Sequence, residues 1–147
     1  MNVFARVVVD TSTLVSAALR VGSVPHQALL QAFTTGEVCV SPSTLDELEK
    51  VLLRPKFDRY QSAEMRKAFA DILRRRASLF MVFEADELNV NPPCRDPKDN
   101  KFLALMQACD AEMQACDADV LISSDDDLLA LNPWQGIPIF TPAQFLE

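Results

Sequence analysis

The sequence predicts an α/β fold, in which a parallel five-stranded sheet is flanked by helices as a three-layer sandwich. Short apolar runs rich in β-branched residues alternate along the chain with longer amphipathic segments of helical period, the pattern of repeated strand–helix units. A length of 147 residues with 49% hydrophobic residues suits one compact core. We therefore expect a single domain over residues 1–147, in which right-handed crossovers restrict the strand order.

The first strand is expected at residues 5–10, ARVVVD, which are too few for a helix and apolar on both faces, as in a central parallel strand. The next segment, residues 12–20, has a helical pattern. A second helix follows after a turn. Pro25 lies near its start and Gly36 at its end, which is where helices commonly carry these two residues.

The second strand, EVCVS at residues 37–41, leads into a third helix. Ser43 and Asp46 have the spacing of a capping box, and the helix is expected to stop before Pro55. Another amphipathic helix is predicted over about residues 62–76. Its apolar stripe consists of Met65, Phe69, Ile72 and Leu73.

The remaining segments continue the same alternation. Strands are predicted at residues 78–83 (SLFMVF), 119–124 (DVLISS) and 137–140 (IPIF), and helices at residues 97–107 and 126–131. These runs complete the five strands of the expected sheet.

One segment is a tandem repeat. MQACDAE at residues 106–112 is followed by MQACDAD at residues 113–119. Seven residues turn a helix by nearly two full turns, so a duplication keeps each side chain on almost the same face and adds about 10.5 Å of length. Because the repeat contains no helix breaker, we expect one long helix across both copies.

The composition excludes several classes of protein. No apolar run approaches the length of a membrane span and no leader is recognisable, so the protein is expected to be cytoplasmic. The only histidine, His26, is far in sequence from the cysteines, and no CxxC pair occurs, which argues against a zinc site. Reduced, packed thiols are expected at Cys39, Cys94, Cys109 and Cys116.

The charge is unevenly distributed. The whole chain carries −7, whereas residues 50–76 hold nine Lys or Arg and three acids. A solvated helical surface and an electrostatic footprint for a phosphate backbone both fit this pattern. Under the second interpretation, RNA contacts are expected from Arg54, Lys56, Arg74, Arg75 and Arg76.

Carboxylates recur where the predicted strands end. Asp10 ends the first strand, Glu47 lies in the helix after the second, Asp96 and Asp99 open the helix after the third, and Asp125 closes the fourth. The carboxyl ends of parallel strands lie along one edge of a sheet, so these side chains are expected to converge.

Converging carboxylates repel one another, so either one of them stays protonated or a cation neutralises the group. Oxygen donors without paired His or Cys favour Mg²⁺ or Mn²⁺ over Zn²⁺. We expect Asp10 and Asp125 to be ligands, while Glu47 and Asp99 orient bound water or hold a second ion. No histidine accompanies a Ser or Cys nucleophile, so the expected base is a metal-activated water that attacks a phosphodiester. This chemistry is that of a nuclease.

Each acid also has a structural interpretation. A single acid at a helix start is usually a cap or a partner of the helix dipole, which alone could explain Asp96 and Asp127. Caps have no reason to fall at the same end of successive strands, however, and that regularity favours a functional site.

Several segments resemble a known family. VVVDTSTLVSAAL, SPSTLDELEKVLLRPKF, CRDPKDNKFLALM, ADVLISSDDDLL and GIPIFTPAQFLE together are similar to a PIN-domain ribonuclease of the VapC-like toxin group of bacterial toxin–antitoxin systems. The resemblance implies a parallel sheet between helices and Mg²⁺- or Mn²⁺-dependent endonuclease activity on RNA. It also implies a small antitoxin partner, and such toxins often form homodimers.

The resemblance assigns roles by position. Asp10, Glu47, Asp99 and Asp125 correspond to the catalytic acids, of which Asp10, Asp99 and Asp125 are metal ligands. The accessory positions are Asp96, Ser123 and Asp127, together with Ser12, which stands where most members of the family have Asn.

Two alternatives belong to other classes. A haloacid-dehalogenase-like phosphatase also begins with a strand that ends in Asp, but it needs an acid two residues later, where this chain has Ser12. A catalytically weak or inactive PIN fold that binds RNA or protein is the other alternative, and Ser12 and the repeat leave it open.

Overall fold

The computed structural model describes residues 4–112 and 119–147. Its centre is a five-stranded sheet of order β3-β2-β1-β4-β5, in which each neighbouring pair is parallel. The strands are β1 (Arg6–Val9), β2 (Glu37–Val40), β3 (Ser78–Leu79), β4 (Asp119–Ile122) and β5 (Ile139–Phe140). The predicted α/β class with a parallel five-stranded sheet is confirmed.

Helices cover both faces of the sheet. They are α1 (Thr11–Leu19), α2 (Val24–Thr35), α3 (Pro42–Leu52), α4 (Ala63–Arg76), α5 (Glu84–Leu88), α6 (Asn100–Glu112), α7 (Asp126–Leu129) and α8 (Pro142–Leu146). Short 3₁₀ turns lie at Pro55–Phe57 and Pro97–Asp99. No helix among the described residues is long and apolar enough to cross a membrane.

Successive buried residues of the central strands β1, β2 and β4 pack into different cores. In β1, Val7 and Val9 pack with α1, α2, α3, α4 and α8, whereas Val8 packs on the opposite face against α6 and α7. This alternation follows from the two-residue period of a strand and places apolar side chains on both faces. The result is the three-layer arrangement expected from the sequence.

The predicted cap of α3 is wrong. Ser41, not Ser43, is the N-cap: its Oγ accepts from the amide of Thr44 at 3.2 Å, and the Ser41 amide donates to Thr44 Oγ1 at 2.9 Å. Pro42 occupies the first helical position, where its missing N–H is no loss. Asp46 is instead exposed and pairs with Lys50.

The predicted apolar stripe of α4 is wrong in part. Leu73 is buried, but Met65 and Ile72 are exposed, and the buried face consists of Arg66, Ala70 and Leu73. From its charge alone, Arg66 is expected to be exposed on the surface. In the fold its guanidinium finds buried carbonyl partners, which permits burial.

Other differences concern the edges of the sheet. β3 pairs over two residues only, although the predicted run of residues 78–83 continues with Phe80 and Val82 buried and Met81 and Phe83 exposed. An edge strand has one neighbour, so pairing stops early while the apolar alternation continues.

Helices α5 and α8 were not predicted. The first copy of the repeat is helical, and the prediction that the helix continues through the second copy lies outside the described residues.

Candidate metal-dependent active site

Asp10 stands where β1 passes into α1. It is 3% exposed, and its Oδ1 accepts a hydrogen bond of 3.0 Å from the amide of Thr13, so it is the N-cap of α1. Its Oδ2 accepts a hydrogen bond of 2.5 Å from the hydroxyl of Ser123. Burial raises the pKa of Asp10, and the hydrogen bonds from Ser123 and Thr13 partly oppose that effect.

Ser123 connects Asp10 to Asp125 across neighbouring strands. The amide of Asp125 donates to Ser123 Oγ at 2.9 Å, and the same hydroxyl donates to Asp10. Asp125 caps α7, because its Oδ1 accepts from the amide of Asp127 at 3.0 Å. The pairing of β1 with β4 therefore brings two capping carboxylates to one edge.

Asp99 completes the cluster from the turn that precedes α6. Asp96 caps this turn by accepting a hydrogen bond of 3.1 Å from the amide of Lys98. Burial raises the pKa of Asp99 to about 8, and the neighbouring Asp125, Asp96 and Asp10 contribute to that rise. A side-chain hydrogen bond with Asp125 is among the causes that raise the pKa of Asp99.

Glu47 lies beside this cluster with partners of its own. Its Oε2 accepts a hydrogen bond of 3.1 Å from Thr11 Oγ1 and lies 3.0 Å from Lys101 Nζ. Thr11 directly follows Asp10, and Lys101 follows Asp99 by two residues. Glu47 is thus fixed at the border of the cluster, and its charge is balanced by a lysine.

Of the remaining predicted site residues, some lie beside the acidic cluster and others lie away from it. Ser12 Oγ lies 3.4 Å from Asp10 Oδ1, so this hydroxyl adjoins the cluster. Arg74 pairs with Glu49 rather than with any of the clustered acids. Arg75 and Arg76 are exposed at the end of α4, and Arg54 and Lys56 are exposed at the turn Pro55–Phe57.

Sequence reasoning missed three residues that hold the site. Thr11 and Lys101 fix Glu47, and the amide of Thr13 holds Asp10. The position of Thr13 was a visible signal in the sequence. An Asp side chain just before a helix commonly accepts from the free amide three residues later, which makes it a helix cap. Lys101 carries no such signal, since its contact with Glu47 depends on how α3 and α6 pack.

The donor chemistry fits a hard divalent cation. Asp10, Asp99 and Asp125 offer carboxylate oxygens near one another, and burial together with repulsion from the neighbouring acids raises the pKa of Asp99. Among the described residues, no group of three or more His, Cys, Asp or Glu side chains is already arranged so that it could hold a metal ion. Mg²⁺ usually binds through one or two carboxylates and retains water, so such a group is not required.

Three comparisons place the chain among known proteins. A family model described as "PIN domain" matches residues 6–127. No curated protein sequence matches the chain. Among solved structures, VapBC2 from Rickettsia felis, bound to a promoter DNA fragment, is similar with a TM-score of 0.61 and 12% identity, over 92% of this chain and 98% of that one.

Two further solved structures are similar. VapC20 of Mycobacterium tuberculosis, described as a Sarcin-Ricin loop cleaving toxin, has a TM-score of 0.53 and 18% identity, over 84% of this chain and 94% of that one. PAE2754 from Pyrobaculum aerophilum has a TM-score of 0.58 and 11% identity, over 97% of this chain and 88% of that one. At these identities the likeness concerns the fold.

Proposed function

The chain belongs to the PIN domain family, and from that premise we propose that it is a Mg²⁺- or Mn²⁺-dependent endoribonuclease, the toxin of a toxin–antitoxin pair. The observation that carries this proposal is the convergence of Asp10, Asp99 and Asp125, with the pKa of Asp99 raised to about 8. Such a group of acids is stable when a cation neutralises it. A hard divalent ion at the edge of an acidic cluster suits the cleavage of phosphodiesters.

The protein groups would divide the work as follows. Asp10 and Asp125, connected by Ser123, would hold the ion together with Asp99. Glu47, fixed by Thr11 and Lys101, would orient the attacking water. When bound, the ion would lower the pKa of water and neutralise charge that develops on the phosphate.

Partners follow from the same proposal. The structural neighbours include VapBC2 and a toxin described as cleaving the Sarcin-Ricin loop, and both support the proposal of RNA as the substrate and a small antitoxin as the inhibitor. We extend the proposal to a homodimer and to action in the cytoplasm, where RNA and a co-expressed antitoxin meet.

The test is cleavage of a mixed RNA pool in Mg²⁺, Mn²⁺ or EDTA, followed by sequencing of the ends. We expect the wild-type protein to cut with either ion and not in EDTA, and Asp10→Asn or Asp125→Asn to lower the rate by at least about 100-fold. Asp46→Asn is the matched control, because Asp46 is an exposed acid paired with Lys50 outside the cluster. Equal cleavage by the wild type and both cluster variants would refute the site.

A further inference from the structure

A cleft of about 450 Å³ lies between the second half of α1, the start of α2 and the turn Pro55–Phe57, and none of the clustered acids lines it. Its walls include Ser16, Arg20, Phe57 and Tyr60. Pockets for small organic groups measure about 300–1,000 Å³, so this cleft is large enough for a nucleobase.

A row of exposed side chains along α1 runs from the acid cluster to the cleft. Within α1, only Ser12 and Ser16 are exposed, and Arg20 follows directly after the helix, also exposed. Ser12 Oγ lies 3.4 Å from Asp10 Oδ1. With a rise of about 1.5 Å per residue, Ser16 and Arg20 lie about 6 and 12 Å further along the helix. A single RNA strand can therefore contact both places.

The loop beside the cleft carries uncompensated positive charge. Arg54, Lys56 and Arg59 are exposed, and the one acid among residues 54–60 is Asp58. Asp58 is paired with the guanidinium of Arg66, which is fully buried beneath the loop. Within the described residues, the loop therefore presents its other cations without an acidic partner from its own sequence.

The aromatic rings of the loop stand next to these cations. Lys56 Nζ lies 5.1 Å from the centre of the Phe57 ring, and Arg59 Cζ lies 5.1 Å from the centre of the Tyr60 ring. Tyr60 is 49% exposed, whereas Phe57 packs partly against the core. Exposed aromatic rings beside basic side chains are the usual means by which proteins stack unpaired bases and hold the backbone.

We propose that this cleft binds an unpaired nucleobase of the RNA strand that is cut, close to the cleaved bond. Tyr60 stacks on the base, and Arg20 binds its edge or its phosphate. This inference rests on the proposed ribonuclease function and adds a specificity-determining site to it. Arg20 and two aromatic rings line the cleft, and further cations stand on the loop beside it. This combination favours a nucleotide over an extended apolar peptide as the occupant.

A binding measurement tests the cleft without cleavage. Short single-stranded RNA oligonucleotides carry 2-aminopurine at each position in turn, and binding is followed in EDTA by fluorescence. We expect quenching at one position with the wild-type protein, its loss in Tyr60→Ala, and its recovery in Tyr60→Phe, which keeps the ring. Lys67→Ala removes an exposed charge elsewhere on α4 and should quench as the wild type does. Equal quenching with Tyr60→Ala would overturn the proposal.

A second measurement tests the specificity of cleavage. In the RNA pool with Mn²⁺, Tyr60→Ala and Arg20→Ala should each lose a base preference at one position beside the cut and lower kcat/KM about tenfold, whereas Lys67→Ala should do neither. An unchanged profile in both variants would refute the base site, leave the nuclease proposal intact, and point to a docking surface for protein. If the wild type cuts no RNA but still quenches at one position, the nuclease proposal fails and the base site stands.

Discussion

Arg66 and Asp10 are both buried charges, but their surroundings differ. The Arg66 side chain is 0% exposed and lies beneath the loop of residues 53–61. Its guanidinium donates to the carbonyl oxygens of Gln61, Leu52 and Arg54 and pairs with Asp58. All four of these groups are acceptors, so the burial of this charge is compensated within the protein.

Asp10 is compensated only in part. It accepts hydrogen bonds from Thr13 and Ser123, yet Asp125 lies close enough to raise its pKa, and Asp10 in turn raises the pKa of Asp99. A buried charge with complete partners is tolerated by the fold, and removing it leaves those partners unsatisfied. A buried charge among like charges needs a counter-ion from outside the chain. The presence or absence of partners within the protein therefore distinguishes the structural Arg66 from the functional Asp10.

The first expected effect is large and lies on the structural side of this comparison. Arg66→Met keeps the aliphatic bulk but leaves the carbonyls of Leu52 and Gln61 without a donor, so we expect the free energy of unfolding to fall by about 3 kcal/mol. Urea denaturation measures it. Lys67→Met, at an exposed neighbouring position, should change stability by less than about 0.5 kcal/mol. A similarly small change for Arg66→Met would show that its burial contributes nothing to the fold.

On the acidic side, stability should depend on pH when no metal is present. The folded protein keeps a proton on Asp99 up to about pH 8, whereas the unfolded chain releases it near the ordinary value of 3.8. Unfolding therefore releases a proton between these values, and stability falls as pH rises from about 4 to about 8. Thermal melts in EDTA across this range should show a decreasing Tm.

Two controls define that pH effect. Asp99→Asn should flatten the dependence of Tm on pH, because the titrating group is gone. Added Mn²⁺ should restore the wild-type Tm at pH 8 by neutralising the cluster. A Tm that rises with pH in EDTA would contradict the raised pKa.

The next effect has the opposite sign to that of Arg66. Asp10→Asn removes a buried negative charge, while the amide oxygen can still cap α1, so we expect the metal-free protein at pH 8 to gain about 1 kcal/mol in the free energy of unfolding. Mn²⁺ should then stabilise the variant much less than the wild type. Asp46→Asn should leave the response to Mn²⁺ unchanged, and a net loss of stability in Asp10→Asn would remove the contrast with Arg66.

The sequence predicts the acidic cluster better than it predicts the burial of Arg66. The convergence of Asp10, Asp99 and Asp125 was predictable because each acid lies at the end of a strand or the start of a helix, and parallel strands share an edge. The burial of Arg66 was not, since its carbonyl partners are supplied by the packing of α3 and the following loop against α4. Local patterns indicate where a side chain stands along the chain, and tertiary contacts decide which charges find partners.

The smallest expected effect concerns the ion pair between Glu47 and Lys101. Glu47 has a charged partner within the protein, as Arg66 does, but it also lies beside the acidic cluster. The two side chains of the pair are 29% and 15% exposed, so the attraction is neither fully screened nor fully buried. In a double-mutant cycle with Glu47→Gln and Lys101→Met, we expect a coupling of about 0.5–1 kcal/mol in the absence of metal. If Lys101 also compensates the neighbouring acids, Lys101→Met alone should lower the Tm more at pH 8 than at pH 5. Equal losses at both pH values would confine this lysine to Glu47, and the cluster would then depend on a cation from outside the chain.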